Sequence, residues 1–162
     1  MRILTVGHSN QLPHELIALL QHAGVRRVID VRSWPRSKRV PHFDREPLTA
    51  TLSAAGIEYR WLGKLLGGLM KKIDGETTDE YWKRLRGLER FQRGLDLLLE
   101  PFVADAVLLC AERDPLHCHR FWAIAEELTA RDVEVEHLLA GGEIVSHRRL
   151  AAQTKAAQLS LF

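Results

Sequence analysis

Ala106-Val107-Leu108-Leu109-Cys110 runs directly into Ala111-Glu112-Arg113-Asp114-Pro115-Leu116-His117-Cys118-His119-Arg120, and the fold turns on this stretch. Five apolar residues without polar alternation read as a strand buried on both faces. Asp114 followed by Pro115 reads as the N-cap and first turn of a helix predicted over Pro115 to Ala130. A buried strand that leads into a helix belongs to a βαβ unit. Working outward, the pattern recurs. Arg2 to Val6 is predicted as a first strand and Pro13 to Ala23 as a helix closed by Gly24. Arg27 to Val31 is a second strand, Pro47 to Ala55 a short helix closed by Gly56, and Ile57 to Leu62 a third strand. Gly63 to Asp79 reads as a long loop. A helical region from Thr78 or Asp79 to about Leu99 is interrupted near Gly87, and Val133 to Leu138 is a fifth strand. The expectation is an α/β fold: three layers, a mainly parallel five-stranded sheet with helices on both faces. One domain would span residues 1–150, followed by a flexible tail over 151–162.

The chain has 162 residues, 46% of them apolar, enough for one sizeable core. No apolar run approaches the length of a membrane span, and no secretory signal is present, so the expected location is the cytoplasm and no membrane partner is expected. Two cysteines in such a chain suggest free thiols, ligands or catalytic groups rather than a structural disulfide. The net charge of +2 gives no argument for nucleic acid from bulk charge. Seven basic residues nevertheless fall between Arg26 and Arg45, against Asp30 and Asp44.

In parallel sheets, ligands bind beyond the carboxyl ends of the strands, so the residues just past each strand are the candidates. After the first strand come Gly7, His8 and Ser9. Gly7 permits close backbone approach, His8 is a proton carrier near neutral pH, and Ser9 is a cap or a ligand contact. After the second come Asp30 and Arg32, on the same side of the strand. They are either an internal ion pair or a phosphate-binding arginine oriented by its carboxylate. Trp34, Arg36, Lys38, Arg39, His42 and Phe43 interleave cations with rings, as a nucleic-acid contact would, and Ser37 sits among them. Gly67 and Gly68, near Lys71 and Lys72, are a candidate phosphate cradle, although no Walker pattern is present.

The fourth strand carries the densest chemistry: Cys110, Glu112, Cys118, His119 and Arg120 within eleven residues. Glu112 is the candidate general acid–base. Cys118, placed in a first helical turn, is either an activated nucleophile or one member of the apolar stripe Cys118, Phe121, Ala125 and Leu128. The spacing of Cys110, Cys118 and a histidine matches no standard zinc pattern, so the sequence assigns no metal, and it names no cofactor.

Taken in order, Thr5-Val6-Gly7-His8-Ser9, Asp30-Val31-Arg32 with Pro35 and Ser37, Gly56-Ile57-Glu58-Tyr59, Leu66-Gly67-Gly68, and Leu109-Cys110-Ala111-Glu112 through Cys118-His119-Arg120 form one set. This set resembles the bacterial family called domain of unknown function 488, over roughly Ile3 to Gly142. The resemblance implies a cytoplasmic α/β domain with one polar cluster, and no particular reaction. A second likeness is to rhodanese domains, in which Cys110 would be the sulfur-carrying nucleophile. The loop here is longer, with acidic Glu112 and Asp114 where backbone N–H groups would cradle an anion.

The chain ends Gln158-Leu159-Ser160-Leu161-Phe162, which resembles the motif by which bacterial proteins dock on the replicative sliding clamp. Leu161 and Phe162 would fill an apolar pocket and the Gln158 amide would fix register. The small, polar Ala151 to Ala157 segment reads as its linker. Together these features predict an enzyme acting on DNA or a nucleotide by hydrolytic or transfer chemistry, in replication or repair, recruited by the clamp. A non-catalytic nucleic-acid-binding adaptor is one alternative. A thiol enzyme, performing rhodanese-like sulfur transfer or acting as a phosphatase, is the other.

Overall fold

The structure is a computed structural model that describes residues 1–159, the side chains of 158 and 159 excepted. Strand β1 (Arg2–Gly7) leads to helix α1 (Pro13–His22), and β2 (Arg27–Asp30) leads to α2 (Arg45–Ala54) and β3 (Glu58–Trp61). A short α3 (Gly63–Leu66) precedes α4 (Thr78–Arg86) and α5 (Glu89–Leu97). Strand β4 (Ala106–Cys110) is followed by a 3-10 turn (Pro115–His117), a π-helix (Arg120–Ala125) and α6 (Glu126–Ala130). Strands β5 (Glu134–Leu138) and β6 (Ile144–Ser146) and helix α7 (His147–Leu159) complete the described chain.

The sheet order is β3-β2-β4-β1-β5-β6, parallel throughout except for β6, which pairs antiparallel with β5. Strand side chains alternate between two apolar clusters. Leu4, Val6, Val28, Val107 and Leu109 join Leu16 and Leu20 of α1 and Leu48 and Leu52 of α2. Ile3, Ile29, Leu108 and Cys110 join Leu85 of α4, Phe91 and Leu95 of α5, and Leu128 of α6. Period-two alternation on strands with apolar residues at both parities needs such a pair of clusters.

The sheet thus has six strands rather than the five expected. β6 is three residues long and follows the Gly141-Gly142 turn, too short to produce a periodic signal. The segment from 151 to 157, read as a linker, lies within helix α7. Its alanines, Gln153 and Lys155 are good helix formers, which a reading based on polarity overlooks. Of the clamp-like motif, Ser160, Leu161 and Phe162 and the side chains of Gln158 and Leu159 lie outside the described residues. The helix expected over Pro115 to Ala130 is broken: Cys118 is extended (φ −134°, ψ 146°) between the 3-10 turn and the π-helix.

Strand order places the site. From β2 the chain crosses toward the β3 edge, whereas from β4 it crosses toward β5. These two neighbours therefore diverge at their carboxyl ends and open a crevice between them, the usual place for a ligand in a parallel sheet.

Candidate active site

Register brings the strand ends level: Gly7 pairs with Cys110 and Asp30 with Leu109. Pairing continues past the strands, with the Val31 N–H donating to the Leu109 carbonyl (3.0 Å), His8 N–H to Cys110 (2.9 Å) and Ser9 N–H to Ala111 (2.9 Å). The crevice at this rim is a cleft of about 470 Å³. Its floor holds Cys110, Cys118 and His119, and its walls include Arg32, Trp34, Gly68, Lys72, Tyr81, Trp82 and Glu112.

The break in the helix makes this floor. A continuous helix would have carried Cys118 around the first turn. Instead, its extended backbone turns the thiol toward Cys110. His119 Nδ1 lies 3.6 Å from Cys118 Sγ and 3.7 Å from Cys110 Sγ. The other ring nitrogen, Nε2, is 3.2 Å from the Val31 carbonyl. A carbonyl accepts only, so the proton is assigned to Nε2 and the Nδ1 lone pair faces the sulfurs. π-helical turns recur at such sites because they reposition side chains without ending the helix. Hydrogen bonding from Cys118 holds the Cys110 thiol well below its ordinary range despite burial, with the Arg120 guanidinium adding to the effect. Burial pushes Cys118 up, and Cys110 adds to this. Of the pair, Cys110 is the one favoured to ionise.

Gly68 lies on the face of this imidazole: a Cβ there would stand 2.6 Å from His119 Cγ. Gly67 is packed just as closely on Ser33. The glycine pair thus admits protein groups and is not arranged as a phosphate cradle. Tyr81 fixes the same loop, donating to the Gly68 carbonyl (2.7 Å) and accepting from the Met70 N–H (2.8 Å).

Arg32, expected as a candidate phosphate ligand, and Arg120 both turn their hydrogen bonds inward. Arg32 Nε and Nη2 bind the Asp30 carboxylate, and Nη1 reaches the Phe43 carbonyl (2.9 Å) and His8 Nε2 (3.0 Å). Four of its five N–H groups are used, leaving one on Nη2. Tyr59 also donates to Asp30 (2.7 Å). Burial, together with Arg32, lowers the His8 pKa to about 4, so the ring is neutral at pH 7 and accepts from Arg32. Arg120 is 1% exposed and spans the backbone carbonyls of Glu112 and Arg113. It is a clamp on the loop that carries Glu112. Gly7 provides the space for this, since a Cβ there would strike the Glu112 carbonyl and Arg120.

Other sequence expectations also change. Phe43 is 0% exposed in the core and is not free to stack on a base. His42 packs edge-on to it and bonds the Gln11 carbonyl (3.1 Å). Ser37 organises its own turn, accepting from Arg39 and Val40 N–H groups while its N–H donates to Asp44 (2.7 Å). Gly7, His8 and Ser9 buttress β4 and do not line the cleft. Trp34 is 74% exposed at the cleft mouth, and Arg36, Lys38 and Arg39 are exposed beside it in sequence. Lys72, from the candidate phosphate cradle, lines the cleft, and so do Tyr81 and Trp82, which the sequence did not offer as ligand contacts. Their signal was the capping box at Thr77 and Glu80, which fixes where α4 begins and which way its first turn points.

Fold and site together define a class: a mainly parallel α/β domain with a thiol–imidazole cluster at a topological switch point. The family model described as "Domain of unknown function DUF488" matches residues 13–126, and the chain belongs to that family. No curated protein and no solved structure matches the chain.

Proposed function

We propose that the cleft is the active site of a cytoplasmic enzyme acting by hydrolysis or group transfer on a nucleotide or on DNA. The observation that carries this reading is convergence. The rings of Trp34, Tyr81 and Trp82, the exposed ammonium of Lys72, and a floor of two thiols and an imidazole all border one cleft. An exposed Trp34 ring with half-buried Tyr81 and Trp82 beside a cation suits a planar base attached to phosphate, since stacking contributes about 1–3 kcal/mol per base. The charge contact is supplied by Lys72 and by the Arg36, Lys38 and Arg39 loop. Arg32 and Arg120 hold the frame instead. Glu112, at the rim, is the proton carrier. The terminal Gln158-Leu159-Ser160-Leu161-Phe162 would bring the enzyme to the sliding clamp at replicating or repaired DNA.

The test is titration of the protein with nucleotides, nucleosides and single-stranded oligonucleotides, followed by tryptophan fluorescence and by product analysis. Trp34→Ala should weaken binding about tenfold, in line with the loss of one stacked base. Wild-type protein that binds none of these ligands at millimolar concentration sinks the reading. A second reading, a thiol enzyme, draws on the Nδ1 lone pair facing the Cys110 and Cys118 sulfurs. It predicts that stoichiometric alkylation of Cys110 abolishes turnover while leaving ligand binding in place.

A further inference from the structure

The three donor atoms in the cleft floor are spaced as ligands of one ion. A tetrahedral Zn²⁺ takes thiolate sulfur at about 2.3 Å and imidazole nitrogen at about 2.0–2.1 Å, which sets sulfur and nitrogen about 3.6 Å apart. The observed separations from His119 Nδ1 are 3.6 Å to Cys118 and 3.7 Å to Cys110. All three donors lie within 4.8 Å of one another. The surroundings fit as well. His119 donates its Nε2 proton to a backbone carbonyl, the contact that orients a metal-bound imidazole. The Arg120 N–H donates to Cys118 Sγ (3.5 Å). Gly68 leaves room for the ring in this orientation. Two thiolates would match the charge of a divalent ion held between them.

We propose that Cys110, Cys118 and His119 bind one Zn²⁺, with its fourth position open to the cleft. Three protein ligands and one open position are the arrangement of a catalytic rather than a structural zinc. Cys110 and Cys118 bind as thiolates, releasing their protons to solvent. The catalytic consequence rests on the preceding reading of the cleft as an active site. A water on the open position is acidified by the ion and gives a proton to the Glu112 carboxylate. The hydroxide oxygen then bonds to an electrophilic carbon of the planar ligand. As the bond from that carbon to the leaving nitrogen or oxygen breaks, the leaving atom keeps the electron pair and takes the proton from Glu112. The substrate class is therefore a base-containing ligand hydrolysed at carbon.

The experiment uses the full chain. Protein from zinc-supplemented cells should carry one zinc per chain by elemental analysis. The apo protein with Co²⁺ should show thiolate-to-metal charge transfer in the near ultraviolet and the visible bands of a tetrahedral site. Cys118→Ser and His119→Asn should each weaken zinc at least about tenfold against a chromophoric chelator. Because these variants also touch the core, the deciding measurement is made on wild type. No bound zinc, a silent cobalt spectrum, and thiols that react with Ellman's reagent equally with and without zinc would overturn the proposal. Zinc-loaded protein that binds no nucleotide removes the substrate reading and leaves the metal site. Protein that takes up neither zinc nor cobalt yet binds nucleotide removes the metal site and leaves the cleft.

Discussion

Arg32 and Arg120 show how residue chemistry and residue role diverge. Both stand beside strand ends, where a cation suggests an anionic ligand, yet both spend their donors inside the chain. Alternation along a strand correctly puts Asp30 and Arg32 on one side. It does not reveal that Tyr59, His8 and the Phe43 carbonyl arrive to complete the network, because those partners come from other elements. Removing one half of a buried ion pair strands the other, at a cost of about 3–5 kcal/mol. Asp30→Asn is therefore expected to lower the unfolding free energy in a urea titration by that much, and an unchanged midpoint would contradict the network. Gly68→Ala is expected to act on function more than on fold. The added methyl meets the His119 ring at 2.6 Å, so the imidazole must move. Overpacking of this kind costs about 1–3 kcal/mol in a denaturant titration. Turnover should fall further than stability explains, and this is checked by comparing kcat with the unfolding midpoint. Arg120→Lys keeps the charge but cannot span two carbonyls, so kcat should fall with KM little changed.

Among the elements, long periodic segments were legible in the sequence and irregular ones were not. β1, β2, β4 and β5 and helices α1, α4 and α5 fall where apolar spacing and the Gly87 break put them. The π-helix and the extended Cys118 were hidden because Cys118, Phe121, Ala125 and Leu128 fit an α-helical stripe, and only tertiary closure on Cys110 selects the other path. Thr77 caps α4 through Glu80, accepting its N–H at 3.3 Å while Glu80 returns a bond to the Thr77 N–H at 2.8 Å. Thr77→Ala should cost about 1 kcal/mol of stability by chemical denaturation. A hydrogen-bonded line joins β1, β5, α7 and α6. Thr5 meets His137 Nδ1 (2.7 Å), His137 Nε2 meets His147 Nδ1 (3.2 Å), and His147 Nε2 meets Glu126 (3.4 Å). Burial, with His147 and Arg120 nearby, lowers the His137 pKa to about 3. An unfolded histidine titrates near pH 6.5, so below that value the unfolded chain takes up a proton that the folded chain refuses. Stability held by the neutral ring is complete above about pH 6.5 and is lost as pH falls toward 3, by up to about 1.4 kcal/mol per unit. Thermal melts at pH 7.5 and pH 5 check this, and His137→Gln should reduce the difference, the remainder coming from buried His8.

For the molecule as a whole, alternating strands and helices made the α/β class and the mainly parallel sheet readable. Strand order was not readable, because crossovers of similar length reach either side of a sheet. The position of the cleft followed only once the order β3-β2-β4-β1-β5-β6 was known. Net charge of +2 is too small to dominate binding, so any contact with nucleic acid must be local. If the exposed loop touches phosphates, single-stranded DNA affinity should fall with salt. Arg36→Ala with Arg39→Ala should reduce the logarithmic slope by about 1.4, or about 0.7 for each lost contact. An unaltered slope would remove the loop from the interface. If the tail docks on the sliding clamp, deleting residues 158–162 should abolish co-purification with the clamp and leave the melting temperature alone. The crevice has a further consequence, because β2 and β4 face each other only after the chain has travelled out through β3 and back through α4 and α5. Neither wall can recognise anything until that long excursion has been closed. A molecule held by both walls is then a staple across it, and heating should find the loaded protein harder to open than the bare one.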